Sequence, residues 1–167
     1  MGWQMGKRLK DDEIIALKSV PKILLKPLRQ KWIDQLKFRQ LSIELCSQDQ
    51  KHRFKLYMRQ SNLDEDNFSC GLSYLESNES DITLARYNGS SHVHVNKCDG
   101  RRFDFQCHIH QANEASLKVS KKIENFAIQT DRYKNLSGAI QCVLKDFNII
   151  DINIGQLIEQ GGLFDEN

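Results

Sequence analysis

The chain has 167 residues, with 24 Lys and Arg against 22 Asp and Glu for a formal charge of +2, and is 40% hydrophobic. That length can bury a core without disulfides or a structural metal, and the near balance of charge argues against a dedicated nucleic-acid binder with a global basic field. The cysteines (Cys46, Cys70, Cys98, Cys107, Cys142) are scattered with no Cys-x-x-Cys, and no apolar run nears the roughly 20 residues that span a bilayer, so disulfide frameworks, zinc knuckles and membrane spans have no support.

These features predict one domain over 1–167 in the reducing cytoplasm, with a flexible arm over 1–10 and a tail over 159–167. Asp11 or Asp12 can cap a short helix through Ser19, which Val20-Pro21 ends because the residue before proline is pushed out of the helical region. Residues 22–37 read as a basic connector with Trp32 against the core. From Phe38 the period becomes two. Leu41, Ile43 and Leu45, then Phe54, Leu56 and Met58, alternate with polar residues and predict a hairpin. Its outer face carries Arg53, Lys55 and Arg59, which can meet phosphates.

Phe68, Cys70, Leu72 and Tyr74 predict a third strand, Ser77–Ser80 a turn, and 82–87 a fourth strand. Residues 114–127 form a weaker helical pattern. Asn135 can cap a firmer helix whose Leu136, Ile140, Val143, Leu144 and Phe147 share one stripe, and Ile149, Ile150, Ile152 and Ile154 suit a short strand or packing on the sheet. The predicted class is α+β, an antiparallel β-meander of about five to six strands with helices packed on one face.

Four of the five histidines lie within 92–110, as His92-Val93-His94 and His108-Ile109-His110. Alternation sends Phe103, Phe105, Cys107 and Ile109 to the core and His108 and His110 to the opposite face. If 92–96 is extended, Val93 and Val95 oppose His92 and His94. A three-residue loop at Gly100–Arg102 would then pair His94 with His108 and His92 with His110.

Three readings stay open. Imidazoles can take and give protons near neutral pH, so His92, His94, His108 and His110, with Arg86, Arg101 or Arg102 as the cation and Tyr87 or Tyr133 as a proton donor or base-stacking ring, could cleave RNA through its 2′-hydroxyl without cofactors. The same four histidines could instead hold a transition metal such as zinc. Or they could lie on a protein-binding face of a regulatory or interaction module of a mobile element. Asp131-Arg132-Tyr133 reads as a helix entrance with a surface ion pair.

The runs Phe68-Ser69-Cys70-Gly71-Leu72-Ser73-Tyr74 and Leu84-x-Arg86-Tyr87-Asn88-Gly89 with two following histidines, then His108-Ile109-His110 and Thr130-Asp131-Arg132-Tyr133, resemble a functionally uncharacterised bacterial family of small proteins, over about 11–150. Arg86, Tyr87, Asn88, His92, His94 and His108/His110 are more distantly similar to the hallmark of TumE-type toxins of toxin–antitoxin pairs. That resemblance implies RNA-directed chemistry and a cognate antitoxin or other protein partner. The resulting expectation is a toxin-like, metal-free ribonuclease, with Arg53, Lys55, Arg59, Arg101 and Arg102 on the nucleic acid and no membrane association.

Overall fold

The computed structural model describes residues 9–76, 81–119 and 126–159. The predicted turn at 77–80, most of the 1–10 arm and most of the 159–167 tail lie outside them. Within them the chain is α+β, built on a mostly antiparallel sheet.

Helix α1 (Asp11–Ser19) starts where the acidic run meets the positive end of the helix dipole, and the Glu13 carboxylate accepts from the Lys10 N–H at 2.9 Å. Leu9, placed by sequence in the flexible arm, is 5% exposed and belongs to the core with Ile14 and Leu17. Strands β1 (Lys22–Leu24) and β2 (Ile33–Asp34) pair with opposite ends of β3, so the predicted connector contributes two short strands. Trp32 packs against the core as predicted, its Nε1–H donating to the Leu157 carbonyl at 3.1 Å. Lys22 is fully buried. Its ammonium donates to the Lys18, Val20 and Phe147 carbonyls at 2.8–2.9 Å and so joins the C-terminal ends of α1 and α3. Burial pushes that amine down to about 7.

Strands β3 (Phe38–Ser47), β4 (Arg53–Ser61), β5 (Phe68–Leu75) and β6 (Asp81–Asn88) form the predicted meander. The register Leu41↔Met58, Ile43↔Leu56, Leu45↔Phe54 puts the alternating apolar residues on one face. Helix α3 (Leu136–Asp146) packs on β5 and β6 with Leu136, Ala139, Ile140 and Val143 buried, and the Asn135 side chain caps it by accepting from Gly138 N–H at 2.8 Å.

After β6 the sheet order jumps. Strand β9 (His108–Gln111) pairs with β6, and β10 (Ala127–Gln129) with β9, giving an eight-stranded sheet where five to six strands were predicted. Residues between β6 and β9 leave the sheet as a separate two-stranded hairpin, β7 (Val93–Val95) with β8 (Arg102–Asp104). The predicted 114–127 helix is only α2 (Glu114–Val119) within the described residues, and Ala127 belongs to β10. Ile149 and Ile152 are buried, Ile149 through a single parallel bridge to Lys22, and a short helix α4 (Ile154–Glu159) follows.

The hairpin corrects the predicted register. Asn96 N–H donates to Arg101 O and Gly100 N–H to Asn96 O, both at 2.8 Å, so the loop runs through Lys97–Gly100 and His94 faces Phe103. β9 cannot also pair with 92–96, because β6 and β10 occupy both its edges. The other register rests on burial of Phe103, Phe105, Val93 and Val95, but only Phe103 is buried, beside the histidines and outside the main core. Val93 is 37%, Val95 49% and Phe105 66% exposed, with Phe105 at a φ of 52° that breaks the 103–110 strand in two.

Candidate histidine centre

Register places the site. On the sheet face opposite α3, the cross-strand row Arg59, Ser69, Asn88, His108 lies beside the row Tyr57, Gly71, Arg86, His110. Period two sends Cys107 and Ile109 inward and both β9 histidines to this second face, as predicted. That face is not open here, however. The β7–β8 hairpin lies against it, and His108 and His110 are buried.

One side chain hydrogen-bonds the hairpin to the main sheet. Asn96, fully buried, donates from Nδ2 to Ala127 O at 2.9 Å and accepts at Oδ1 from Ala127 N–H at 2.7 Å, pairing with the β10 backbone as a strand would. Those two bonds assign the amide, so the 2.9 Å contact between Asn96 Oδ1 and His94 Nε2 requires the imidazole to donate. His94 therefore keeps its lone pair on Nδ1.

Each β9 imidazole is held in the same way. His108 Nδ1 donates to Gln106 O at 2.9 Å and His110 Nδ1 to Phe126 O at 3.1 Å, since a carbonyl only accepts. Both rings therefore carry their lone pairs on Nε2. Asn88 Nδ2 stands 3.3 Å from that of His108 and donates to its one lone pair, so an ion on this nitrogen would displace that contact. Tyr133, buried behind the sheet, ties β6 to β9 through its hydroxyl bonds to Asn88 O at 2.9 Å and His108 O at 3.1 Å.

The rings of His94, His108 and His110 meet with centroids 4.8–5.3 Å apart, and one nitrogen from each lies within 4.8 Å of the others. Tetrahedral ligands at about 2.1 Å from zinc sit about 3.4 Å apart, so closing on an ion needs a movement of roughly 1 Å. Burial, with smaller contributions from the neighbouring His94 and His92, pushes His108 down to about 4 against the pull of the Gln106 carbonyl. At neutral pH it is the neutral, ligand form. His92, exposed at the rim, sets its ring edge-on 5.3 Å from His108 but does not join the triad. Phe103 lies nearly parallel to both His94 and His108, its ring centroid 6.1 Å and 6.3 Å from theirs.

Beside the triad is a pocket of about 420 Å³ lined by Ser69, Arg86, Asn88, His92, His94 and His110, with Val95 and Lys97 at the hairpin side. Arg86, half-buried, donates from Nε to Tyr57 Oη at 3.3 Å.

Tyr87 is not in this site. It points to the opposite face, is 1% exposed, and donates its hydroxyl to Asp146, which also receives both terminal nitrogens of Arg132 at 2.7–2.8 Å. Tyr133 is likewise buried in the core rather than available to a substrate. Arg101 and Arg102 are held by Asp99 and Asp104 within their own hairpin and do not line the pocket. Of the basic β4 residues, Lys55 pairs with Asp81, Arg59 lies 3.7 Å over the Phe38 ring, and Arg53 is exposed. Asn88 was marked from sequence only through the family resemblance, and Asn96, Tyr57 and Lys97 were not named there as site residues. The signal for Asn96 was its place two residues after His94, on the same side of an extended segment.

No family model, curated protein or solved structure matches the chain. Among the described residues no helix is long and apolar enough to cross a membrane.

Proposed function

We propose that His94, His108 and His110 hold one divalent transition-metal ion, zinc best matching three neutral nitrogen donors, and that the protein is a hydrolase working from the adjoining pocket. One observation supports this reading above others. The three rings converge, with one nitrogen from each within 4.8 Å of the others, and a carbonyl oxygen orients each ring through one of its nitrogens. A bound ion would supply Lewis acidity and a water acidic enough to lose a proton near neutral pH. His94, carried by the hairpin, and the β9 pair set the donor triangle, while His92 stands at the pocket rim. The experiment is calorimetric titration of zinc into the chelator-stripped chain. The reading expects one ion per chain, lost in His108→Ala and His110→Ala. A wild-type chain that takes up no zinc overturns it.

A second reading keeps the metal-free, toxin-like cleavage of RNA, with an antitoxin as partner in the cytoplasm. It is favoured by the grouping of His92, His94, Arg86 and Lys97 in one pocket. Here His108, neutral and buried, can serve as a base but not as the acid. RNA cleavage that survives exhaustive chelation and disappears in His94→Ala supports this second reading and removes the first.

A further inference from the structure

Asn88 ends β6 directly across from His108, is 9% exposed, and lines the pocket beside the triad. Its amide is only half used. Nδ2 donates to His108 Nε2 at 3.3 Å, whereas Oδ1 has no hydrogen-bond partner among the described residues. A buried acceptor left unmet is costly, and in a native fold it points to the group that meets it. The surroundings narrow that group. His94 and His110 also present lone pairs to this pocket, and His108 carries its own on Nε2. Acceptors that face one another from several sides are reconciled by a cation.

His108 Nε2 has one lone pair and so one direction to offer. An ion about 2.1 Å along that line and the amide nitrogen at 3.3 Å would stand only about 1.2 Å apart, so the Asn88 side chain has to give way to an ion. It does so by side-chain torsion, because the backbone here is held. The Tyr133 hydroxyl bonds both Asn88 O and His108 O, and the next residue is packed so closely that a Cβ at Gly89 would come within 2.1 Å of Asp66 O. An amide N–H pointed at a cation is repelled. Turned over about Cβ–Cγ, the same amide presents Oδ1 instead, and its two ends are so alike that the turn needs no extra room.

Resting on the metal-centre reading, we propose that Asn88 is the ion's fourth donor. Its N–H covers the His108 lone pair in the metal-free chain, and on loading the amide turns over and gives Oδ1 to the ion at about 2.0–2.2 Å. Zinc can expand to five donors, so a water still fits beside the amide oxygen.

The test compares zinc affinity in wild type, Asn88→Leu and Asn88→Asp by calorimetry against a competing chelator, with the pH held above the imidazole range. Leucine keeps the branch at Cγ but neither donates nor ligates, so zinc should bind about tenfold more weakly or worse, the least that loss of a supporting group costs. Aspartate keeps an oxygen and adds charge, and should bind zinc at least as tightly as wild type. A side chain that merely braced His108 through its N–H would be impaired by both changes. A second measurement needs no folded variant beyond the assignment. In wild type labelled with carbon-13 at the asparagine Cγ, the Asn88 signal, identified by its absence in Asn88→Asp, should move downfield on zinc loading, as a carbonyl polarised by an ion does. Zinc affinity in Asn88→Leu equal to or above that of wild type overturns the proposal, since the amide would then only compete with the ion. So does a loss in Asn88→Asp as large as in Asn88→Leu, or an Asn88 signal that stays in place in a zinc-loaded chain. A wild-type chain that takes up no zinc is a different failure: it removes the metal reading itself, and this donor with it.

Discussion

Replacing Asn96 with alanine tests how the site is assembled. Asn96 is fully buried and satisfies both backbone groups of Ala127, itself at 0% exposure, as well as the Nε2–H of His94. Truncation leaves a buried N–H and a buried C=O without their partner. Each costs about 1–3 kcal/mol, and water entering from the adjacent pocket should hold the total to about 2–4 kcal/mol. Urea unfolding followed by circular dichroism at constant slope reads that loss directly. His94 also loses the oxygen that orients it, so zinc affinity should fall about 10–100-fold. Asn96→Asp separates the two roles: it keeps an acceptor for His94 and loses the donor to Ala127 O, so stability should fall more than zinc affinity does. A loss below about 0.5 kcal/mol in Asn96→Ala, with zinc affinity unchanged, refutes the latch.

The metal-free chain should lose stability on acidification because of His108. Its folded value, about 4, lies below the ordinary 6.5, so between these pH values the unfolded chain binds a proton that the folded chain does not. Stability therefore falls as pH drops from about 6.5 to 4, by about 3 kcal/mol in all, and urea midpoints in His108→Gln should show a flatter profile. Tyr87→Phe removes a hydroxyl bound to Asp146 on the core side; about 1–2 kcal/mol should be lost in urea with zinc stoichiometry still one, and loss of zinc binding would return Tyr87 to the site. Gly71→Ala forces a Cβ to 2.2 Å from Ala85 O, so backbone and Tyr57 must both shift, and a loss of at least about 2 kcal/mol is expected in thermal or urea unfolding. A neutral result there would mean that Tyr57 does not lie over Gly71.

Much of the fold is legible because its signals are local. Asn135 and the stripe from Leu136 to Phe147 specify α3, and period-two alternation specifies β3 to β6. The same alternation separates Cys107 and Ile109 from His108 and His110. Burial of that histidine face is not legible, since it comes from a hairpin whose latch joins residues 31 positions apart. The hairpin register was misread for a related reason. Burial of Val93, Val95, Phe103 and Phe105 was assumed to fix it, whereas of these only Phe103 is buried and the edges of β9 were already taken by β6 and β10. Tyr87 was readable and misplaced. It neighbours Arg86 in the chain, and in a strand that adjacency puts the two side chains on opposite faces.

The account stands most directly on what surrounds a bound ion, and X-ray absorption at the zinc edge of the loaded chain measures it. Three imidazole nitrogens at about 2.0–2.1 Å with one oxygen donor are predicted, falling to two nitrogens or fewer in His94→Ala. A sulfur shell at about 2.3 Å, bringing in Cys98 or Cys107, or a shell of oxygens alone with no imidazole scattering, would contradict the centre.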